Sequence, residues 1–137
     1  MNKKIFQISA IEVEQFATFP IPETDSKLVQ FDVNLDLNLN EEKRHINCSF
    51  NVTLRLLDEV IVKLQVKCAY LIYQEVWDTW VDSEYPKPNI PIDTIENIAD
   101  QTMATARGIL YVKTENTKYS TFFIPVLDLK DAITATQ

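Results

Sequence analysis

Glycine is nearly absent from this chain of 137 residues, which holds one, Gly108. At the average usage of roughly 7%, a chain of this size carries about ten. One glycine cannot build a phosphate cradle, so nucleotide binding through G-x-G-x-x-G or G-x-x-x-x-G-K-[ST] is excluded. Histidine is equally scarce. His45 and the two cysteines, Cys48 and Cys68, fall short of the roughly four ligands that a zinc site takes. His45 stands beside Arg44 with no nucleophile or carboxylate partner, so it reads as an exposed strand-end residue. No catalytic residue, metal or cofactor is assigned, and the chain is not read as an enzyme.

Long apolar runs are also missing, and nothing approaches the ~18 residues of a membrane-spanning helix. Cationic residues are the minority: 13 Lys and Arg face 20 Asp and Glu, for a net charge of −7. That balance argues against nucleic acid, whose phosphates are held by Lys and Arg, and favours apolar or basic partners. The opening MNKKIFQISAIEVEQF breaks its apolar residues with Gln7, Ser9, Glu12 and Glu14, so no signal-peptide core is read there and a cytoplasmic location is expected.

What is present is alternation, within a one-domain length (residues 1–137) that hides roughly two-thirds of its unfolded surface. In FDVNLDLNL, Phe31, Val33, Leu35, Leu37 and Leu39 share one side, opposite Asp32, Asn34, Asp36 and Asn38. After a turn at residues 40–44, Ile46, Cys48, Phe50, Val52, Leu54 and Leu56 alternate with polar residues and predict the hairpin partner. Asn47-Cys48-Ser49 and Asn51-Val52-Thr53 match the glycosylation pattern but read as polar strand positions. A third long strand carries Val60 to Ile72, with Cys68 and Cys48 on core-facing sides, buried and reduced. Its second side turns apolar at Ala69, Leu71 and Tyr73, which predicts a cover there. A less regular first strand spans residues 5–19.

Residues 77–91, WDTWVDSEYPKPNIP, are aperiodic and proline-bearing, and predict a crossover loop. Ile92, Ile95, Ile98, Ala99, Thr102, Met103 and Ala106 then fall at helical spacing, with Asp93 and Thr94 as candidate caps. Gly108 is expected at the C-prime position after Arg107, in the left-handed conformation, so that Gly108→Ala costs about 1 kcal/mol. ILYVKTENTKYSTFFIP predicts a short C-terminal hairpin, and Leu127 to Ala135 a short terminal helix. The expected class is α+β: a four-stranded antiparallel sheet, a crossover loop, one long helix, a hairpin and a terminal helix.

With catalysis unsupported, binding is the default. Trp77, Trp80, Val81, Tyr85 and Ile90 lie in the crossover, near the strand end Tyr70, Leu71, Ile72 and Tyr73. Aromatic side chains in an aperiodic loop either fold back as a lid on the core or line a groove, and exposed patches of this kind mark binding surfaces.

The order of these elements resembles the SecB export-chaperone family. The resemblance rests on Phe6-Gln7-Ile8 in the first strand, Pro88-Asn89-Ile90 before the helix, Ala106-Arg107-Gly108 at its expected end, and Ile124-Pro125-Val126. It implies an ATP-independent holdase for unfolded or disordered polypeptides, assembled as a homotetramer with helices between outer sheets. It implies a peptide groove at Tyr70, Ile72, Tyr73, Trp77, Trp80, Tyr85 and Ile90, and an oligomer contact at Ile95, Ile98, Thr102 and Met103. The positions by which SecB meets the SecA motor ATPase carry Gln15, Phe19, Lys63 and Leu64 here, leaving Glu12, Glu14, Asp32 and Asp36 as the acidic partner surface. The long segment 109–124 resembles divergent SecB-like proteins that accompany toxin and antitoxin pairs. A dedicated chaperone for one such client, and an oligomeric scaffold with no client, are the alternatives.

Overall fold

The computed structural model describes residues 4–81 and 87–127. The alternating segments form four antiparallel strands, β1 (Phe6–Thr18), β2 (Val29–Asn40), β3 (His45–Leu56) and β4 (Glu59–Ile72), in the sheet order β1-β4-β3-β2. Two helices follow, α1 (Gln74–Trp80) and α2 (Ile92–Thr114). The class is α+β. Every even-numbered residue of β3 from Ile46 to Leu56 is buried and every odd-numbered one is half-buried, as a period of two on a sheet with one covered face requires.

The cover is α2. Ile98, Ala99, Thr102, Met103, Ala106 and Leu110 lie along its buried face, against β3 and β4. Each fully buried large aliphatic side chain contributes roughly 1.5–3 kcal/mol, so this stripe is what holds the helix on the sheet. The opposite face of the sheet carries no packed helix or strand among the described residues. The cover expected over Ala69, Leu71 and Tyr73 is therefore absent there: all three are half-buried, with Leu71 flanked by Gln7 and His45 on the neighbouring strands.

Four expectations change. The helix does not stop at Arg107 but runs through Gly108 to Thr114, because Leu110 and Thr114 extend the buried stripe in steps of four from Ala106. Burial at helical period outweighs the β-propensity of Ile109, Tyr111 and Val112. No C-terminal hairpin follows, since residues 115–121 are turns and residues 122–127 are irregular. The helix begins after Pro91, without a side-chain cap, rather than at Asp93 or Thr94; Asp93 sits in the first turn and Thr94 is buried. Part of the crossover is helical, as α1. The expected terminal helix falls, beyond Leu127, outside the described residues.

Left-handed backbone occurs where glycine is not: at Arg44 (φ 54), Leu57 (φ 53), Asp58 (φ 62) and Asn116 (φ 63), while Gly108 has no positive φ. Leu57 and Asp58 make the two-residue turn between β3 and β4, where both residues must be left-handed and Asn-Gly is the usual choice. Arg44 uses its conformation to send Nε to the Ile72 carbonyl at 3.3 Å and its guanidinium to the Gln74 side chain, which fixes the entry into α1.

Gly108 thus sits in a helix interior, with nothing within 4 Å of the position a Cβ would take. The expected sign of its replacement reverses: Gly108→Ala raises stability by about 0.5–1 kcal/mol. Urea unfolding checks this, and a lowered midpoint contradicts it.

Candidate functional site

Most of the aromatic and apolar residues expected to line a groove belong to the core of the single chain. Tyr70 and Ile72 are fully buried at the end of β4. Trp77 and Trp80, on one face of α1, are only 8% and 7% exposed, with ring centroids 6.2 Å apart. Tyr73 and Ile90 are half-buried, and Tyr85 lies outside the described residues. Of the expected oligomer contacts, Ile98, Thr102 and Met103 are buried under the chain's own sheet and Ile95 is half-buried. The reason is shared: α2 buries its apolar stripe on the one covered face of the sheet, and Val76, Trp77 and Trp80 of α1 join the same buried cluster.

Beneath α2 the core contains a small polar cluster. The Thr102 hydroxyl donates to the Ile98 carbonyl at 2.8 Å, so the Tyr70 hydroxyl, 2.7 Å away, donates to Thr102. Cys48 and Cys68 face each other across β3 and β4 in the same layer, both free and buried. Burial pushes the Cys48 thiol up from 9.0 to about 11, with Thr102 pulling against the shift and neighbouring Cys68 adding to it. Burial raises Cys68 and Tyr70 in the same direction. All three stay neutral at pH 7, which suits a packed layer and not a nucleophile.

The open apolar surface lies elsewhere. A cleft of about 750 Å³ is walled by the segment from Ile21 to Val29 on one side and Thr121 to Phe123 on the other, with Phe31 and Leu56 from the sheet. Its walls are tied together and to α2. The Tyr119 hydroxyl donates to the Phe19 carbonyl, and Arg107 donates to the carbonyls of Ile124 at 3.1 Å and Pro125 at 3.0 Å. Leu28 and Phe123, 76% and 59% exposed, stand at this cleft. A second, shallower groove runs between β1 and α2, lined by Val13, Thr105, Gly108, Ile109, Val112 and Lys113. Exposed Ile8 and Ile11 share the helix-facing side of β1 with Val13.

The alternation marked only the floor of the cleft, Phe31 and Leu56; its walls come from two irregular segments some ninety positions apart in sequence, which carry no period. Phe122 and Phe123 read as strand residues of the expected C-terminal hairpin, and Leu28 lay before the alternating segment, so none of them pointed to a cleft.

Glu12, Glu14, Asp32 and Asp36 do share one surface, the uncovered face of the sheet. Cations interleave them. Glu12 lies opposite Lys67, Asp32 pairs with Arg55, Glu14 accepts from the Gln65 amide at 3.2 Å, and Asp36 lies two strands from Lys67 across Ser49.

No protein-family model matches the sequence, and no curated protein matches it. Among solved structures, the Mycobacterium tuberculosis Rv1957 SecB-like chaperone, in complex with a ChAD peptide from the Rv1956 HigA1 antitoxin, matches with a TM-score of 0.58. The match has 10% identity and covers 90% of this chain and 91% of that one. The fold is SecB-like. A protein of unknown function from Streptococcus agalactiae aligns more loosely, with a TM-score of 0.44 and 14% identity over 90% of this chain and 97% of that one. The SecB-like fold accounts for the sheet order and the long helix; with identity this low, the site must be argued from the chain's own residues. No helix among the described residues is long and apolar enough to cross a membrane.

Two outcomes follow from the core placement. Trp80→Ala removes a buried aromatic and lowers unfolding free energy by about 3–5 kcal/mol, whereas an unchanged midpoint contradicts its burial. The Cys48 shift works on stability at alkaline pH. The unfolded thiol ionises near 9.0 and the folded one near 11, so the unfolded chain holds fewer protons between these values. The stabilisation is complete below pH 9.0 and is lost as pH rises to about 11. Urea midpoints across that window must fall, and Cys48→Ala must flatten the fall.

Proposed function

We propose that this protein is a non-enzymatic chaperone that holds non-native or disordered segments of other polypeptides, without nucleotide hydrolysis. The observation that carries the reading is the 750 Å³ apolar cleft with Leu28 and Phe123 exposed beside it, on the fold of a chaperone solved with a peptide bound. A cleft of this volume, mostly apolar with a few polar groups on its walls, suits one or two large side chains of an extended chain. The groove moves in this proposal from Trp77 and Trp80, which serve the core, to the walls around Phe122 and Phe123.

A client-specific role is the second reading, favoured by the antitoxin peptide in the SecB-like neighbour. Homo-oligomerisation is proposed through the groove between β1 and α2, where Ile8, Ile11, Val13 and Val112 are exposed together, rather than through Ile98, Thr102 and Met103. Docking to a SecA-type motor is not part of the proposal, because Lys63, Lys67 and Arg55 divide the acidic surface. A cytoplasmic site of action accords with the reading.

The test mixes the protein with a chemically unfolded, aggregation-prone polypeptide and follows light scattering, with mass measured on the products. Suppressed scattering and a stable complex are expected, while unaltered aggregation removes general chaperoning. Phe123→Ala, at an exposed position, leaves the unfolding midpoint within about 0.5 kcal/mol of its original stability. It weakens client binding, and equal binding by this variant moves the site away from the cleft.

A further inference from the structure

The two edges of the sheet are unlike. β1 carries register shifts between Ile8 and Ala10 and between Val13 and Gln15, whereas β2 pairs with β3 without a shift from Val29–Leu56 to Asn40–His45. Natural edges are blunted against further pairing by bulges, prolines or lysines. β2, twelve residues long, has no bulge, proline or lysine, and its only charges are Asp32 and Asp36.

Its free peptide groups follow from the hydrogen-bond phase. The Ile72 amide donates to the Arg44 carbonyl at 2.9 Å, in the same register that pairs Ile46 with Tyr70. Bonded and non-bonded pairs alternate in an antiparallel ladder, so even-numbered residues of β3 bond to β4 and odd-numbered ones to β2. Those odd residues face even-numbered residues of β2. The N–H and C=O groups of Val29, Phe31, Val33, Leu35, Leu37 and Leu39 therefore point out along the open edge, and no loop backbone bonds to them among the described residues.

We propose that an extended client segment adds to this edge as a fifth strand, with large apolar and basic side chains in alternation. The proposal rests on the polypeptide-binding function above and names the edge and the client chemistry. On the helix side, Val29 and Phe31 belong both to the edge and to the cleft, so the added strand delivers apolar side chains to Val33 and then into the cleft. On the other side, β2 presents Asp32, Asn34, Asp36 and Asn38 and no cation, and Asp36 has no ion-pair partner among the described residues. Asp32 already pairs with Arg55, so a basic residue opposite Asp36 completes the face; opposite charges on adjacent strands attract and like charges repel. Lys27 at the cleft repels a basic side chain at the position that enters it, so the basic residues of the client fall on the other face. The same rule disfavours a second copy in the register centred on Asn34, where antiparallel self-pairing of β2 sets Asp32 against Asp36.

The experiment measures fluorescence anisotropy of a labelled peptide of about ten residues, a strand length, alternating Phe and Lys. It is compared with two peptides: one with Glu in place of Lys, and one N-methylated along the edge that would bond to β2. The protein variants are Val33→Pro, whose lost N–H belongs to no ladder bond, and Asp36→Lys, an exposed change that preserves the fold independently of proline. Each variant is expected to weaken binding of the Phe-Lys peptide roughly tenfold or more, N-methylation is expected to abolish it, and Asp36→Lys is expected to improve the Glu peptide. Binding that ignores both variants and N-methylation overturns the edge assignment. So does a concentration-dependent dimer lost in Val33→Pro, which would make a second copy the occupant. If the wild-type protein suppresses aggregation yet binds none of the peptides, the strand-addition proposal alone falls. If it does neither, the chaperone reading falls with it.

Discussion

The packing of α2 across β3 and β4 is the contact on which the rest of the structure depends. Six buried positions from Ile98 to Leu110 meet the even-numbered rows of two strands, and the Tyr70–Thr102 hydrogen bond fixes the helix in register over them. A buried hydroxyl without its partner costs about 1–3 kcal/mol, so sliding α2 by one residue would lose both the apolar fit and this bond. Everything outside the sheet is referred to that helix. Arg107 on its flank holds the carbonyls of Ile124 and Pro125, which sets the far wall of the cleft.

One covered face has consequences for the surface. Helix α2 uses the apolar capacity of β3 and β4 and leaves the outer strands partly bare: Val33 on β2 and Ile8, Ile11 and Val13 on β1 remain exposed. Two irregular segments, residues 21–28 and 121–123, then enclose an apolar cleft over Val29, Phe31 and Leu56 of the sheet. A site built from loops anchored to a rigid sheet can differ between proteins that share the fold, which is consistent with a common architecture at 10% identity.

The glycine question resolves in an unexpected direction. Gly108 looked like a helix terminator because Arg107-Gly108 ends a good apolar period and Ile109 to Val112 read as a strand. The period in fact continues, through Leu110 and Thr114, and the helix passes over a glycine that nothing in its surroundings demands. Meanwhile Arg44, Leu57, Asp58 and Asn116 adopt the left-handed conformation that glycine would reach at lower cost. Asp58 and Asn116 follow the tolerance of Asp and Asn for this region, but local preference was a poor guide at Arg44, Leu57 and Gly108, where hairpin geometry and tertiary burial set the backbone.

The strands were legible because a half-covered sheet imposes a period of two that no other structure satisfies: Phe31 to Leu39, Ile46 to Leu56 and Val60 to Ile72 all appear within a few residues of their expected bounds. The burial of Cys48 and Cys68 followed from the same parity. What the sequence could not determine was which apolar surplus stays outside. Trp77 and Trp80 looked like groove aromatics and became core, because seven residues of helix α1 gave them a common face to bury. Leu28 lay outside the alternating segment and Phe123 was expected in a C-terminal hairpin, and both became exposed apolar side chains at a cleft. Periodicity records contacts within an element and with the sheet it lies on; the meeting of two irregular segments far apart in sequence is decided only when the chain closes in three dimensions.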